Sequence, residues 1–471
     1  MGHTGSTTPV TQDFSGGCLE RRRTQSECVK NIHLFYPLNH SIRKSFKRLP
    51  TTTEWARFRK YARRMREFTQ FGTSAIPASE VLSVIQLWTT NEPLFTNMKI
   101  LHLWEVKEWF IPFIPLVLSP RTISVLLRFE SDLPEAMVAS MITALPTLCP
   151  NLQSIALYSL PRDSMITAVV SRIPLITNQN TLQRLCVDSP LTEEAGEVLY
   201  KLPNLRSLSV VIERGTSLPS ASLPNLTELT ITCHDEGDWP RLFHGATFGK
   251  LECVAFYPRS EQIGDFLGAF EKAALSSSVQ NTLSKLYLST SHSWSPNYSS
   301  LLPFTQMEDL DLEFSCDGGC SSTVDDDILI SLSRAMPKLT FLQLGMQPCR
   351  QFTTGVTVKG LVALAHHCPD LFALRVHFQV ASLSIPLAIP GMAPNVRSTS
   401  SWRGCGLVDL VVGEIPVPEE SVLMVSLTLI RLFPRMETIY GTGIGWAEVE
   451  DAIYHSKGII DWTSKQHPTT P

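Results

Sequence analysis

Five stretches of this chain spell nearly the same phrase, a Pro followed by apolar residues spaced x-x-apolar-x-apolar. They are PNLQSIAL (Pro150 to Leu157), PNLRSLSV (Pro203 to Val210), PNLTELTI (Pro224 to Ile231), PKLTFLQL (Pro337 to Leu344) and PDLFALRV (Pro369 to Val376). Looser copies extend the series, and all align on their first apolar position: Met98, Thr122, Leu152, Leu182, Leu205, Leu226, Leu251, Leu283, Met307, Leu339, Leu371, Leu407 and Met436. The weakest copy is the one led by polar Thr122. Intervals between these anchors run from 21 to 36 residues. Self-similarity at such a period constrains a fold strongly, because each unit is too small to bury its own apolar face and must stack on its neighbours.

Leu152, Ile155 and Leu157 can point one way only if a turn leads into a short strand, since strand side chains alternate between faces. Amphipathic stretches suited to return helices lie between anchors. PEAMVASMITALP (Pro134 to Pro146) carries Met137, Met141, Ile142 and Leu145 at helical spacing, and TVDDDILISLSRAMP (Thr323 to Pro337) and TVKGLVALAHHCP (Thr357 to Pro369) behave alike. Pro cannot continue a helix, so the Pro that opens each anchor also closes the helix before it. The pattern predicts an α/β leucine-rich-repeat solenoid, a horseshoe of about 12–13 repeats. Unequal intervals make it irregular.

For 471 residues, two or three globular domains would be the ordinary expectation. Repeats spanning Met98 to Met436 replace it with one solenoid over 93–460, a helical N-terminal cap over 50–92, and disordered segments at 1–49 and 461–471. No apolar run approaches membrane-spanning length; the most hydrophobic piece, WFIPFIPLVLSP (Trp109 to Pro120), is short and interrupted by prolines. The N-terminus has no apolar core of a signal peptide. A cytoplasmic or nuclear, monomeric protein with no membrane partner is expected. Eleven cysteines without framework spacing fit reduced thiols. Cys149 and Cys368 precede an anchor Pro and read as buried fillers at helix ends, while Cys316 and Cys320 lack the further ligands a metal site needs.

The net charge of −4 conceals an asymmetry: Arg21 to Arg66 holds 14 basic residues against 2 acidic, whereas 67–471 holds 26 against 40. Such a basic arm can serve nuclear import, nucleic-acid binding or docking on the chain's own acidic body. With no recognised module beside the charge, nucleic acid is not the expected partner; the nucleic-acid alternative predicts salt-sensitive retention. Thr51 to Glu54 has capping-box spacing, and Trp55, Phe58, Ala62 and Met65 share one helical face opposite Arg57, Arg59, Lys60, Arg63 and Arg64. This helix reads as a lid over the first repeat, or as a basic partner-binding helix.

EWARFRKYARRMREF (Glu54 to Phe68), a later helix before NEPLFTNMKILHLW (Asn91 to Trp104), and the irregular repeats resemble, over about residues 50–460, fungal F-box/leucine-rich-repeat proteins of the kind numerous in mushroom-forming fungi. The resemblance implies a substrate-recognition subunit of an SCF-type cullin-RING ubiquitin ligase, in which the F-box binds the ligase adaptor and the repeats hold the protein to be ubiquitinated. Residues 1–50 contain no F-box: Leu49-Pro50 is followed by a cationic stretch instead of apolar helices. Adaptor binding is therefore expected only if an F-box lies upstream of Met1. Without one, the chain is a free-standing leucine-rich scaffold.

No motif points to an enzyme, a cofactor or a metal. GTGIG (Gly441 to Gly445) departs from dinucleotide spacing and reads as a closing loop, and Asp325, Asp326 and Asp327 read as a helix start. Residues alternating with the buried leucines should line the concave sheet and hold a protein partner. They are His102 and Trp104, Ser154 and Tyr158, Lys285 and Tyr287, Asp309, Asp311 and Glu313, Phe341 and Gln343, and Arg375 and His377. Candidate binding residues among them are Trp104, Tyr158, Tyr287, Asp309, Asp311, Glu313, Phe341, Arg375 and His377. The three carboxylates of one strand suit a basic peptide.

Overall fold

The computed structural model describes residues 51–70, 93–160, 181–190, 202–212, 222–233, 247–258, 266–276, 279–290, 296–314, 324–345, 355–380, 405–412, 416–441 and 443–466. The expected helix before Asn91, the Cys316–Cys320 pair and the segment 1–49 fall outside them.

All thirteen anchors are buried, each at 1% exposure or less. Two residues after each anchor a strand begins. In chain order the strands are β1 (Glu67–Gln70), β2 (Ile100–Val106), β3 (Ser124–Phe129), β4 (Ser154–Tyr158), β5 (Arg184–Pro190), β6 (Ser207–Ile212) and β7 (Glu228–Cys233). The second half comprises β8 (Cys253–Pro258), β9 (Lys285–Thr290), β10 (Asp309–Phe314), β11 (Phe341–Leu344), β12 (Ala373–Val376), β13 (Asp409–Val412) and β14 (Thr438–Gly441). They form one open, parallel, 14-stranded sheet whose spatial order is the chain order. First residues face first residues throughout, as in Lys285↔Asp309, Asp309↔Phe341 and Phe341↔Ala373. This is an irregular leucine-rich-repeat solenoid.

Register is fixed by a backbone device. The carbonyl of the residue after each anchor accepts two N–H groups from the next repeat. Lys99 O takes Ile123 N and Ser124 N, Gln153 O takes Gln183 N and Arg184 N, and the series runs unbroken from Arg66 to Val408 at 2.7–3.2 Å. Asn side chains just before an anchor add a rung, donating to the preceding repeat: Asn97 to Arg63 O (2.6 Å), Asn151 to Pro120 O (3.1 Å) and Asn225 to Pro203 O (2.8 Å). Even Thr122 fits its buried column, because its hydroxyl donates to Met98 O (3.2 Å) and accepts from Ser119 N (3.1 Å). A buried hydroxyl costs little once it is hydrogen-bonded.

Inward side chains of each strand pack against the return segments. Among those described are α1 (Thr52–Ala62), α2 (Glu135–Leu148), α3 (Phe266–Ser276), α4 (Asp326–Ala335), α5 (Val358–His367), α6 (Val422–Leu432) and α7 (Trp446–Gln466). Behind β8 the packing is aromatic: Phe256 stacks on Phe266 at 3.8 Å, and Phe270 lies 5.6 Å from Phe304. α2 runs through Pro146 to Leu148 instead of stopping there, because a proline in the last turn removes only one hydrogen bond. Cys149 and Cys368 sit at the ends of α2 and α5, buried. Trp109 to Pro120 folds as a 3-10 helix and one α-turn whose Phe110, Ile111, Phe113 and Ile114 enter the core. No described helix is long and apolar enough to cross a membrane.

Both ends differ from expectation in detail. α1 carries the capping box, with Thr51 Oγ1 accepting from Glu54 N (3.3 Å), but it ends at Ala62. Met65 is not on its face; Arg66 O accepts Lys99 N and Ile100 N, so Met65 leads a fourteenth copy of the phrase, whose strand is β1. At the other end α7 runs past residue 461 to Gln466, where a disordered tail was expected, and buries Trp446, Val449 and Ile453 over the last repeat. Ahead of it Gly445, at φ +92°, brings its backbone against Val417, where a Cβ would collide with the Val417 carbonyl oxygen.

The three consecutive aspartates serve the N-terminal ends of two helices. Asp325 caps α4, accepting from Ile328 N (2.9 Å). Asp326 reaches the N-terminus of the next helix, α5, accepting from Thr357 N (2.7 Å), Thr357 Oγ1 (2.6 Å) and Gly360 N (2.9 Å). Asp327 is exposed and lies 3.8 Å from the Lys359 ammonium.

Candidate binding surface

Alternation within each strand sends the residues two, four and six places after the anchor to the open face of the sheet, and the shared register lines them up in rows across neighbouring strands. Across β9 to β12 one row reads Tyr287, Asp311, Gln343, Arg375, and the row beside it Lys285, Asp309, Phe341, Ala373.

Asp309 is well compensated. The Lys285 ammonium lies 3.2 Å from it, and the Tyr287 and Thr340 hydroxyls donate to it at 3.2 and 2.9 Å. Glu313 accepts from Ser289 Oγ at 3.1 Å. Asp311 stands between them, and its Oδ1 is enclosed without a hydrogen-bond partner among the described residues. Burial, reinforced by the neighbouring Glu313 and Asp309 charges and opposed by Arg375, pushes the Asp311 carboxyl up to about 7. Two strands away, Arg375 donates to Gln343 Oε1 (3.0 Å) and holds its guanidinium 5.4 Å from the Phe341 ring centroid. The patch is therefore dipolar: carboxylates on β10, bounded by Lys285 on one side and Arg375 on the other.

A second group lies toward the N-terminal end. Trp104 of β2 and Tyr158 of β4 stack with centroids 6.3 Å apart and planes within 12°, and Cys186 Sγ donates to Tyr158 Oη at 3.2 Å. Just beyond, Ser159 takes a left-handed conformation (φ 54°), and Asp188 accepts from the Ser159 and Leu160 backbone N–H groups. Five strand spacings, about 24 Å, separate β4 from β9, so the two groups are not one site.

Trp104, Tyr158, Tyr287, Asp309, Asp311, Glu313, Phe341 and Arg375 thus lie on the open face, as the alternation predicts, with His102, Ser154 and Lys285 beside them. One expected member leaves the face, and another stays on it but is covered. His377 is only 5% exposed, because β12 ends at Val376 and the chain turns inward, Gln379 N donating to Val356 O (2.8 Å). Gln343, 3% exposed, is covered between Asp311 and Arg375. Tyr440 of β14, 60% exposed, belongs to the face and was missed, although it stands four places after Met436. Among the described residues no group of three or more His, Cys, Asp or Glu side chains is placed to hold a metal ion.

No protein-family model matches this chain, and no curated protein matches it. Among solved structures it is similar to an internalin (inlF) from Listeria monocytogenes, at TM-score 0.34 and 11% identity over 84% of this chain and 87% of the other. It is also similar to a chain of the yeast Rad7 and Elc1 complex, at TM-score 0.36 and 13% identity over 90% and 93%. At these scores the likeness has no bearing on what the chain binds; the repeat class rests on the strand register itself.

Proposed function

We propose that this chain is a protein-binding module that holds a basic segment of its partner on the open face of the sheet, across β9 to β12. The observation that supports this reading is Asp311, whose carboxylate sits between two others and has, among the described residues, no cation within hydrogen-bonding distance. A Lys or Arg side chain laid over β10 would supply that cation, with Tyr287 and Phe341 as flanking apolar contacts; aromatic anchors beside desolvated charge are the usual centre of such interfaces. Asp309→Ala/Asp311→Ala/Glu313→Ala, tested against arrayed Lys/Arg-rich and acidic peptides, should abolish retention of the basic set. Unchanged retention rejects the surface.

The resemblance to F-box/leucine-rich-repeat proteins carries the reading further: the bound protein is a ubiquitination substrate and this chain its receptor in an SCF-type ligase. Without an F-box the same surface belongs to a free-standing scaffold. Co-purification with the ligase adaptor from cells supports the receptor; its absence alongside a retained partner supports the scaffold.

A further inference from the structure

The basic face of α1 is a feature that partner binding on the open sheet does not use. Trp55 and Ala62 point into the core, which turns Arg57, Lys60 and Tyr61 outward as an i, i+3, i+4 stripe, and exposed Arg64 extends it in the turn after the helix. Among the described residues none of Arg57, Lys60 or Arg64 has a carboxylate partner. The Tyr61 ring is 61% exposed with the Arg64 guanidinium 5.7 Å from its centroid, and Phe58 beside it is 39% exposed.

More cations adjoin the helix. Lys99 N donates to Arg66 O at 2.7 Å, which sets those two exposed residues side by side. Asn97 bridges Arg63 and Arg121, donating to Arg63 O and accepting from Arg121 Nη1, both at 2.6 Å. Glu54, at the far end in the capping box, and Glu67 are the carboxylates on the same element or next to it. The helix dipole accounts for cations in the last turn, but not for Arg57 in mid-helix or for Arg66 and Lys99 beyond it.

We propose that this end of the solenoid is a binding site for single-stranded nucleic acid, with Arg57, Lys60, Arg64, Arg66 and Lys99 along the phosphates and Tyr61 stacking on a base. Phosphate neutralisation together with an exposed ring is the chemistry by which single strands are held without sequence preference. An anionic bilayer fits worse, because a surface helix binds lipid through its apolar face and here that face is in the core. An acidic polypeptide would satisfy the cations and leave the rings unused.

The test uses the full chain and fluorescein-labelled, mixed-sequence single-stranded RNA and DNA, read by fluorescence anisotropy between 50 and 200 mM KCl. Binding should weaken with salt at a log–log slope of about −3.5, from roughly 0.7 for each of the five phosphate contacts. Lys60→Gln/Arg64→Gln should make that slope shallower by about 1.4. Tyr61→Ala should weaken binding roughly 5- to 100-fold at unchanged slope, with Tyr61→Phe restoring it. All three positions are solvent-facing, and an unaltered melting curve for each variant confirms that the fold is kept. No binding at 50 mM KCl overturns the proposal. So does binding indifferent to Tyr61→Ala, tighter retention by polyglutamate or by phosphatidylserine vesicles, or affinity that survives all three substitutions and so belongs to residues 21–50.

Discussion

The carboxylate of Asp326 ties α4 to α5, and this contact yields a prediction whose sign opposes the general rule. It accepts three hydrogen bonds of 2.6–2.9 Å at the N-terminus of α5, where the helix dipole favours negative charge. Hydrogen bonds to a charged group contribute about 1.5–3 kcal/mol each, but these share one carboxylate near solvent and are not additive, so Asp326→Ala should cost about 2–4 kcal/mol. Gly360 is the partner position. In an ordinary helix Gly→Ala stabilises by about 1 kcal/mol. A Cβ on Gly360, however, would lie 2.6 Å from Asp326 Oδ1 and 3.0 Å from Leu329 Cδ1, so Gly360→Ala should destabilise by about 1–3 kcal/mol. In the Asp326→Ala background the oxygen is gone, Leu329 can shift, and the same Gly360→Ala should become neutral or stabilising. A repeat array need not unfold in one step, so urea melts should be paired with amide hydrogen exchange at Thr357 and Gly360, which reports local opening of this joint. Additive effects in the double variant, or a stabilising single Gly360→Ala, would refute the proposed cradle.

Asp311 should make stability, and the proposed binding, depend on pH. Its folded-state value near 7 lies above the ordinary 3.8, so between about pH 4 and 7 the folded protein keeps a proton that the unfolded chain has lost. Stability should therefore fall as pH rises through that window, by about 2–4 kcal/mol, and Asp311→Asn should flatten the profile in melts from pH 4.5 to 8. Affinity for a basic peptide should move the other way, rising from pH 6 to 8 as the carboxylate ionises; calorimetry showing no change would remove Asp311 from the site. Thr122→Val, although it brings the anchor nearer its apolar siblings, should lower stability by about 1–2 kcal/mol, because Ser119 N loses its acceptor; an unchanged denaturation midpoint would contradict this. Burial raises the Cys149, Cys368 and Cys405 thiols to about 11, 12 and 11, so iodoacetamide at pH 8 should spare all three in the native protein and modify them in urea, as peptide mapping would show.

Much of the fold was legible because a single rule governs it. An anchor residue, apolar in every copy but that of Thr122, with a strand two places later places β2 to β14 from the sequence alone. The same rule missed β1, since Trp55, Phe58, Ala62 and Met65 fit a helical face as well as Met65 fits an anchor, and Gln70 stands where the third apolar residue should be. The Arg66 carbonyl, accepting from Lys99 and Ile100, and the end of α1 at Ala62 distinguish the two. Alternation likewise reveals that Asp309, Asp311 and Glu313 share a face, but not that Lys285, Tyr287 and Thr340 compensate the first while burial pushes the second up to about 7. His377 was misplaced because counting by twos assumes that the strand continues, and β12 is only four residues long. The role of Asp326 depends on a partner 31 residues away and has no local signature.

The doubly accepting carbonyls also give the molecule a mechanical character. Each repeat is held to the next by the same short set of bonds, and each strand of the sheet is hydrogen-bonded in the ladder only to its sequence neighbours, so tension applied at the two termini loads these joints in series. The joints should break singly, starting at an end. Each rupture would release one inter-anchor interval, and intervals of 21 to 36 residues correspond to contour gains of about 7–13 nm. Because the intervals are unequal, the order of short and long steps in a force–extension trace would report which end yields first, so the irregular spacing of the phrase becomes a record of position along the protein.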